Sequence, residues 1–275
     1  VLIDSHAHLD SERYAEDRAG MLVRAKEAGV GAILSIGIGE GPPEMHQARD
    51  ICRQFNGQPG MPRLYASAGI YPHNTPEADD TALAKLDGLL AEPEVIACGE
   101  IGLDYYHEGA PHDVQRAGLI RQLEIAAARR RPIVIHCRPK DGETDTWNHL
   151  FLALDTYWRH TGLGGIMHCF GGGWEQARRS LDMGFLVSLA GNLTYPKAQP
   201  LRELAARLPL DGILVETDAP WLAPSPERGK RNEPALVART AQTLAGLLEV
   251  SPEEIATATT SNFARLFHLP ADVGN

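Results

Sequence analysis

Three absences bound what this sequence can be. It has no surplus of positive charge, since 26 Lys and Arg stand against 36 Asp and Glu, for a formal charge of -10. Proteins that coat nucleic acid or anionic membrane with their whole surface carry a broad basic face, so that class is excluded, and an anionic substrate needs a local basic patch or bound metal. Cysteine is sparse. Cys52, Cys98, Cys137 and Cys169 show no C-x-x-C spacing, which rules out a disulfide framework and leaves reduced, buried thiols. No apolar run approaches the roughly 20 residues that cross a bilayer. The sequence opens on VLIDSHAHLD without the basic, apolar and small-residue sections of a secretory signal, so a cytoplasmic location is the expectation.

What is present is a βα rhythm. Short apolar runs at 1 to 6, 31 to 37, 64 to 70, 95 to 103, 132 to 137, 164 to 170, 185 to 191 and 212 to 218 read as eight strands bounded by Gly, Pro or polar residues. Between several of them lie stretches with apolar residues every three or four positions, such as DDTALAKLDGLLAE and HDVQRAGLIRQLEIAAARR. A last helix, SPEEIATATTSNFARLF, starts with the Ser and Glu of a capping box and is expected to close the bottom of the barrel. Strands apolar on both faces suit a parallel sheet covered by helices, and eight βα units close naturally into a barrel. The expected fold is α/β, a single (β/α)8 TIM barrel spanning 1 to 275 with an additional C-terminal helix; a doubly wound open sheet is the structural alternative. The chain length of 275 residues suits one such barrel.

The unusual side chains fall at the ends of these strands. His6 and His8 end the first, Glu100 lies late in the fourth, His136 ends the fifth, His168 the sixth and Asp218 the eighth. In a barrel these ends ring one mouth, where barrel active sites are found. His6 and His8 share a face through the two-residue strand period, and Asp4 has the same parity, which makes it a candidate hydrogen-bond partner inside the barrel. Alone, the pair reads equally well as polar decoration. Glu100 has two oxygens and so can bridge two cations; its plain alternative is an ion pair with an Arg. A lone buried His is more often a satisfied core residue than a ligand, but His136 and His168 occupy equivalent ends of successive strands. Cys137 and Cys169 follow them and are expected to face away, toward the helices. Asp218 could hold a metal and accept a proton from water, with helix capping as its alternative, and Glu216 shares its parity. Asp104 and Tyr105 follow in the loop, with structural and substrate-contacting roles both open. Imidazole and carboxylate donors together suit Zn, Mn, Ni or Fe, and the carboxylates also accept Mg.

These residues resemble the TatD-type metal-dependent deoxyribonucleases, a branch of the amidohydrolase-like barrels. The resemblance runs nearly end to end through DSHAHLD (4 to 10), GIYPHN (69 to 74), GEIGLDYY (99 to 106), IHCR (135 to 138), HCFGG (168 to 172) and ETDAPWLAP with RGKRNEP (216 to 234). It implies two divalent metal ions, with His6, His8 and Asp218 on one, His136 and His168 on the other, and Glu100 between them. It also implies hydrolysis of DNA, often from the 3′ end, with Asp218 and Glu100 as the catalytic carboxylates. His73 matches the second His of the family's G-x-H-P-H segment and is a candidate phosphate contact. Tyr71 stands where the family commonly has the first His, which opens the door to a different substrate preference.

The remaining substrate candidates are basic. Arg228, Lys230 and Arg231 lie in the loop after the eighth strand and Arg138 with Lys140 after the fifth, close to the proposed mouth and able to steer phosphate; each also reads as a solvated surface charge. Two other functions compete with the nuclease. A barrel hydrolase of a small carboxylic or phosphate ester or amide would use the same two-metal site, and a non-catalytic binding barrel would be expected to lack some of the six donors.

Overall fold

A computed structural model describes every residue except 271, 272 and 275. Eight parallel strands run in the order of the sequence: β1 (Leu2–Ala7), β2 (Val30–Ser35), β3 (Arg63–Ala68), β4 (Val95–Asp104), β5 (Ile133–Arg138), β6 (Gly165–Met167), β7 (Phe185–Leu189) and β8 (Ile213–Val215). The seam between β8 and β1 is drawn together by a parallel bridge from Ala7 to Ala219 and by the bond from Asp218 N to His6 O at 2.9 Å. The result is a nearly closed (β/α)8 barrel, as the alternation of patterns predicts, rather than an open doubly wound sheet.

Nine α-helices of the described residues cover the strands: α1 (Arg18–Glu27), α2 (Gln47–Phe55), α3 (Asp80–Leu90), α4 (His112–Arg129), α5 (Asp145–Tyr157), α6 (Trp174–Asp182), α7 (Gln199–Ala205), α8 (Val237–Leu248) and α9 (Pro252–Phe267). The helices α2 and α5 fill the connections after β2 and β5. In α2 the buried positions Ala48, Ile51, Cys52 and Phe55 are spaced so that one helical stripe meets the sheet. The last helix starts as expected, with Ser251 Oγ accepting from Glu254 N and the Glu254 side chain returning to the Ser251 N–H.

Two cores result. The larger lies between strands and helices; the smaller fills the tube. In the tube Ile3, Leu34, Ile96, Val134, Ile166, Leu186 and Leu214 meet Phe263 and Phe267 of α9, so that helix plugs the end opposite the strand C-termini. Fully burying a side chain of this kind stabilises by about 1.5–3 kcal/mol. Apolar packing therefore holds one end of the tube and leaves the other free for polar groups.

Simple alternation fails in β1. Its pairing with β2 shifts between Leu2 and Ile3 and again between Asp4 and Ala7, and such irregularities re-aim side chains. Ile3 joins the tube core, and Asp4 pairs across to Ile33, which belongs to the outer core. Asp4 makes the buried hydrogen bonds expected of it, but among the described residues none comes from an imidazole ring. Asp4 instead accepts from the Thr217 hydroxyl (2.5 Å), the Thr217 N–H (2.9 Å) and the His6 N–H (3.3 Å), which ties the ends of β1 and β8 together.

Candidate metal centre

The strands end before several of the chemically important residues. His8 lies one residue beyond β1, His168 one beyond β6, and Asp218 three beyond β8. Asp218 has φ 54° and Cys169 φ 42°, left-handed conformations that turn the chain sharply. The turn at Cys169 also ends strand alternation. Cys137 packs against the core between strands and helices, as expected, while also bordering the cavity at the barrel mouth, whereas Cys169 lines that cavity without joining the outer core. Burial pushes both thiols well above their ordinary range, so neither offers a thiolate to a metal as it stands.

Six donors meet at this mouth. His6 Nε2 stands 3.2 Å from His8 Nε2 and 3.4 Å from Glu100 Oε2, and Asp218 Oδ1 is 3.7 Å from His6 Nε2 and 3.5 Å from His8 Nε2. On the other side Glu100 Oε1 lies 2.7 Å from His136 Nδ1 and 3.2 Å from His168 Nε2. The two oxygens of Glu100 thus face two separate nests of imidazoles. The atoms of the first nest stand 3.2–3.7 Å apart, close to the separation of about 3.3–3.6 Å expected of groups that share one ion at about 2.0–2.2 Å. Lone-pair atoms crowded together in a buried pocket repel unless a cation or protons lie among them, so the donor set fits a metal.

Outer partners orient the imidazoles of the second nest. His168 Nδ1 donates to Glu216 Oε1 at 3.0 Å, and the same oxygen accepts from Cys169 N at 2.7 Å. His136 Nε2 donates to Asp104 Oδ2 at 3.2 Å. Each bond places the proton on the far nitrogen and leaves the near one free to ligate. Glu216 thus points inward, as the parity it shares with Asp218 predicts. Asp104 is fully buried and also receives the Tyr71 hydroxyl (3.2 Å), His107 Nδ1 (2.8 Å) and the N–H groups of Tyr106 and His107 (3.0 Å each). Asp104 follows Glu100 by four residues on one strand, a spacing that points both inward.

Charge follows this wiring. Burial acts to raise the Glu100 pKa, yet the His168, His136 and His6 imidazoles together hold it well below the usual carboxylate range. For Asp218 burial is likewise outweighed, first by the bond with His8 and then by the charges of His168 and His6. Burial, with the neighbouring His168, pushes His6 down, and its Nδ1 has no partner among the described residues. Both carboxylates are therefore ionised and ready for a cation.

The other predicted residues divide. Arg138 lines the mouth, with its guanidinium 4.4 Å from the centroid of the Tyr106 ring. His73 sits behind Tyr71; its Nδ1 accepts from Ala110 N at 3.3 Å and its Nε2 is 3.7 Å from Asp104 Oδ2. It does not line the mouth cavity, and its nearest charged partner is Asp104. Arg231 is also redirected. Both its terminal nitrogens pair with Asp17 at 2.7 Å, and it bonds Arg13 O and covers the Tyr14 ring, so its charge is already matched. Lys230 is exposed and lines neither large cavity, and Arg228 lines the neighbouring cavity rather than the mouth. Trp221, 47 % exposed and edge-on to His8 with ring centroids 5.0 Å apart, stands at the mouth without having been singled out in the sequence.

A barrel with imidazole and carboxylate groups gathered at its C-terminal rim has the arrangement of a metal-dependent hydrolase. The sequence model of the family described as "TatD related DNase" matches residues 3–268, and the chain belongs to that family. It is 36% identical to the uncharacterized metal-dependent hydrolase YabD of Bacillus subtilis (strain 168), across 98% of this chain and 100% of that protein. It is 33% identical to the 3'-5' ssDNA/RNA exonuclease TatD of Erwinia billingiae (strain Eb661), across 98% and 100% of the two. Among solved structures, that of YJJV, a TatD homologue from Escherichia coli K12, superposes with a TM-score of 0.85 at 32% identity, covering 98% of each chain.

Proposed function

We propose that this hydrolase cleaves phosphodiester bonds in DNA, trimming single strands from the 3′ end, with two divalent ions held at the barrel mouth. The observation that carries the reading is the division of Glu100, whose Oε2 faces His6 and His8 while Oε1 faces His136 and His168. His6, His8, Asp218 and Glu100 would hold one ion, and Glu100, His136 and His168 the other, with Mg, Mn or Zn the candidates. When bound, such a pair supplies positive charge that polarises the phosphodiester and acidifies water. The name of the Erwinia relative supports the polarity and the single-stranded substrate.

The chain's own groups do the rest. Asp218 turns Oδ1 to the two imidazoles, and its side chain remains 16% exposed, so the carboxylate can take the attacking water's proton. Glu216 and Asp104 hold protons on His168 Nδ1 and His136 Nε2, which fixes both tautomers. Arg138 at the rim places a permanent cation beside the cavity to draw in phosphate.

The test is elemental analysis of protein purified without chelator, followed by hydrolysis assays with and without added metal. Single-stranded DNA labelled at either end reports polarity, and lactones, amides and simple phosphate esters report the small-substrate alternative. Glu100→Ala and Asp218→Ala should remain folded and lose activity by orders of magnitude. Undiminished turnover in either folded variant overturns the assignment.

A further inference from the structure

A second cavity of about 770 Å³ adjoins the metal centre. Gly171 and Asn192 line both cavities, so the two meet there. The second is walled by the turn after β6 that leads into Trp174, by the segment from Tyr195 through α7 to Arg207, and by Arg228. Within it the Arg207 guanidinium lies 4.0 Å from the centroid of the Trp174 ring and that of Arg228 lies 4.5 Å from the centroid of the Tyr195 ring. The pair of Arg138 and Tyr106 at the metal mouth has the same form. Lys197 adds another cation against one carboxylate, Glu203. Among the described residues no salt bridge engages Arg207, Arg228 or Lys197, whereas Arg24, Arg49, Arg53, Arg121, Arg129 and Arg231 are all paired. In a chain of net charge -10, these unmatched cations against one carboxylate make a local basic patch.

We infer that this cavity seats the nucleotides that precede the scissile bond in a single strand whose 3′ end occupies the metal centre. The inference rests on the phosphodiesterase reading above. A single strand alternates anionic phosphates with unpaired planar bases. A guanidinium lying on an aromatic ring offers both complements, with N–H edges for phosphate and a flat cationic face for a base. Such platforms accept any base, so the groove sets a preference for strand length and for unpaired bases, not for sequence. A blunt duplex keeps its bases stacked on each other and cannot use it.

The test measures binding by calorimetry in the manganese-loaded full chain. Dinucleotide, tetranucleotide and hexanucleotide probes carry a methylenephosphonate at the 3′-terminal linkage to block hydrolysis. Affinity should rise with length, and Arg207→Ala or Arg228→Ala should remove roughly tenfold of that gain. Arg228→Lys, which keeps the charge without the planar face, should fall between. Trp174→Ala is a further variant, used if its unfolding temperature matches the parent. A length gain that is absent, or that survives both exposed-arginine substitutions, overturns the inference, as does equal affinity for a blunt duplex. Hydrolysis of thymidine 5′-nitrophenyl phosphate by the parent separates the cases. If it proceeds without a length effect, the groove is wrong and the metal centre stands; if neither it nor any oligonucleotide is turned over, both readings fail.

Discussion

His168 donates from Nδ1 to Glu216 Oε1 at 3.0 Å, and that bond fixes which nitrogen faces Glu100. Glu216 should therefore act through His168 as a positioning residue. Glu216→Ala should weaken metal affinity about 10- to 100-fold, read by competition with a chelating dye. Activity should recover substantially at saturating metal, whereas a direct ligand loss such as His168→Ala should not be rescued. Equal rescue in the two variants would remove the distinction.

Gly102 lies between Glu100 and Asp104 with φ 145°, and a Cβ there would collide with the His136 carbonyl. Gly102→Ala imposes both a disfavoured backbone and a displaced β5, so a loss of about 2 kcal/mol or more is expected. Because the displaced carbonyl belongs to His136, metal affinity should fall with stability. Denaturant unfolding of the metal-free protein, alongside metal titration, checks both.

Asp17 joins Arg231 and Arg24 at the surface, and the bonds from Arg231, then Arg24, hold its carboxyl well below the usual range. A depressed folded pKa contributes stability above the unfolded value near 3.9, and the contribution disappears as pH falls through the folded value. Its side chain is 37% exposed, so screening limits the effect to about 0.5–1 kcal/mol. Asp17→Asn should lose that amount at pH 7 and converge on the parent as pH drops below about 4. A difference that grows in acid would contradict the pairing.

Arg138 and Arg231 should separate in salt titrations of oligonucleotide binding. Arg138 lines the metal cavity, but Arg231 is matched by Asp17. Neutralising a phosphate contact reduces the slope of log affinity against log salt by about 1. Arg138→Ala should show that reduction, and Arg231→Ala should leave the slope unchanged while lowering stability. A flattened slope for Arg231→Ala would restore the original expectation for that residue.

The division between what the chain's pattern reveals and what it conceals has a physical basis. Eight apolar runs and the polar residues at their ends are local features, so the barrel and the gathering of His6, His8, Glu100, His136, His168 and Asp218 at one rim can be read from spacing. Register is not local. Nothing in LIDSHA announces the shifts that turn Asp4 to Thr217, and the fate of Cys169 depends on a left-handed turn beyond β6. Charge pairing is least local of all: Arg231 meets Asp17 across 214 positions of chain. A basic cluster in sequence therefore indicated cations but could not say which were already matched.

The floor of the tube is built from Phe263 and Phe267, which are made long after His6 at its opposite mouth. During synthesis, β1 and β2 must wait for α9 before their inward apolar faces find cover. A product ending before Pro252 would expose Ile3, Leu34 and Ile96 to water, leaving a truncated chain for proteases and chaperones to clear instead of a partly working catalyst.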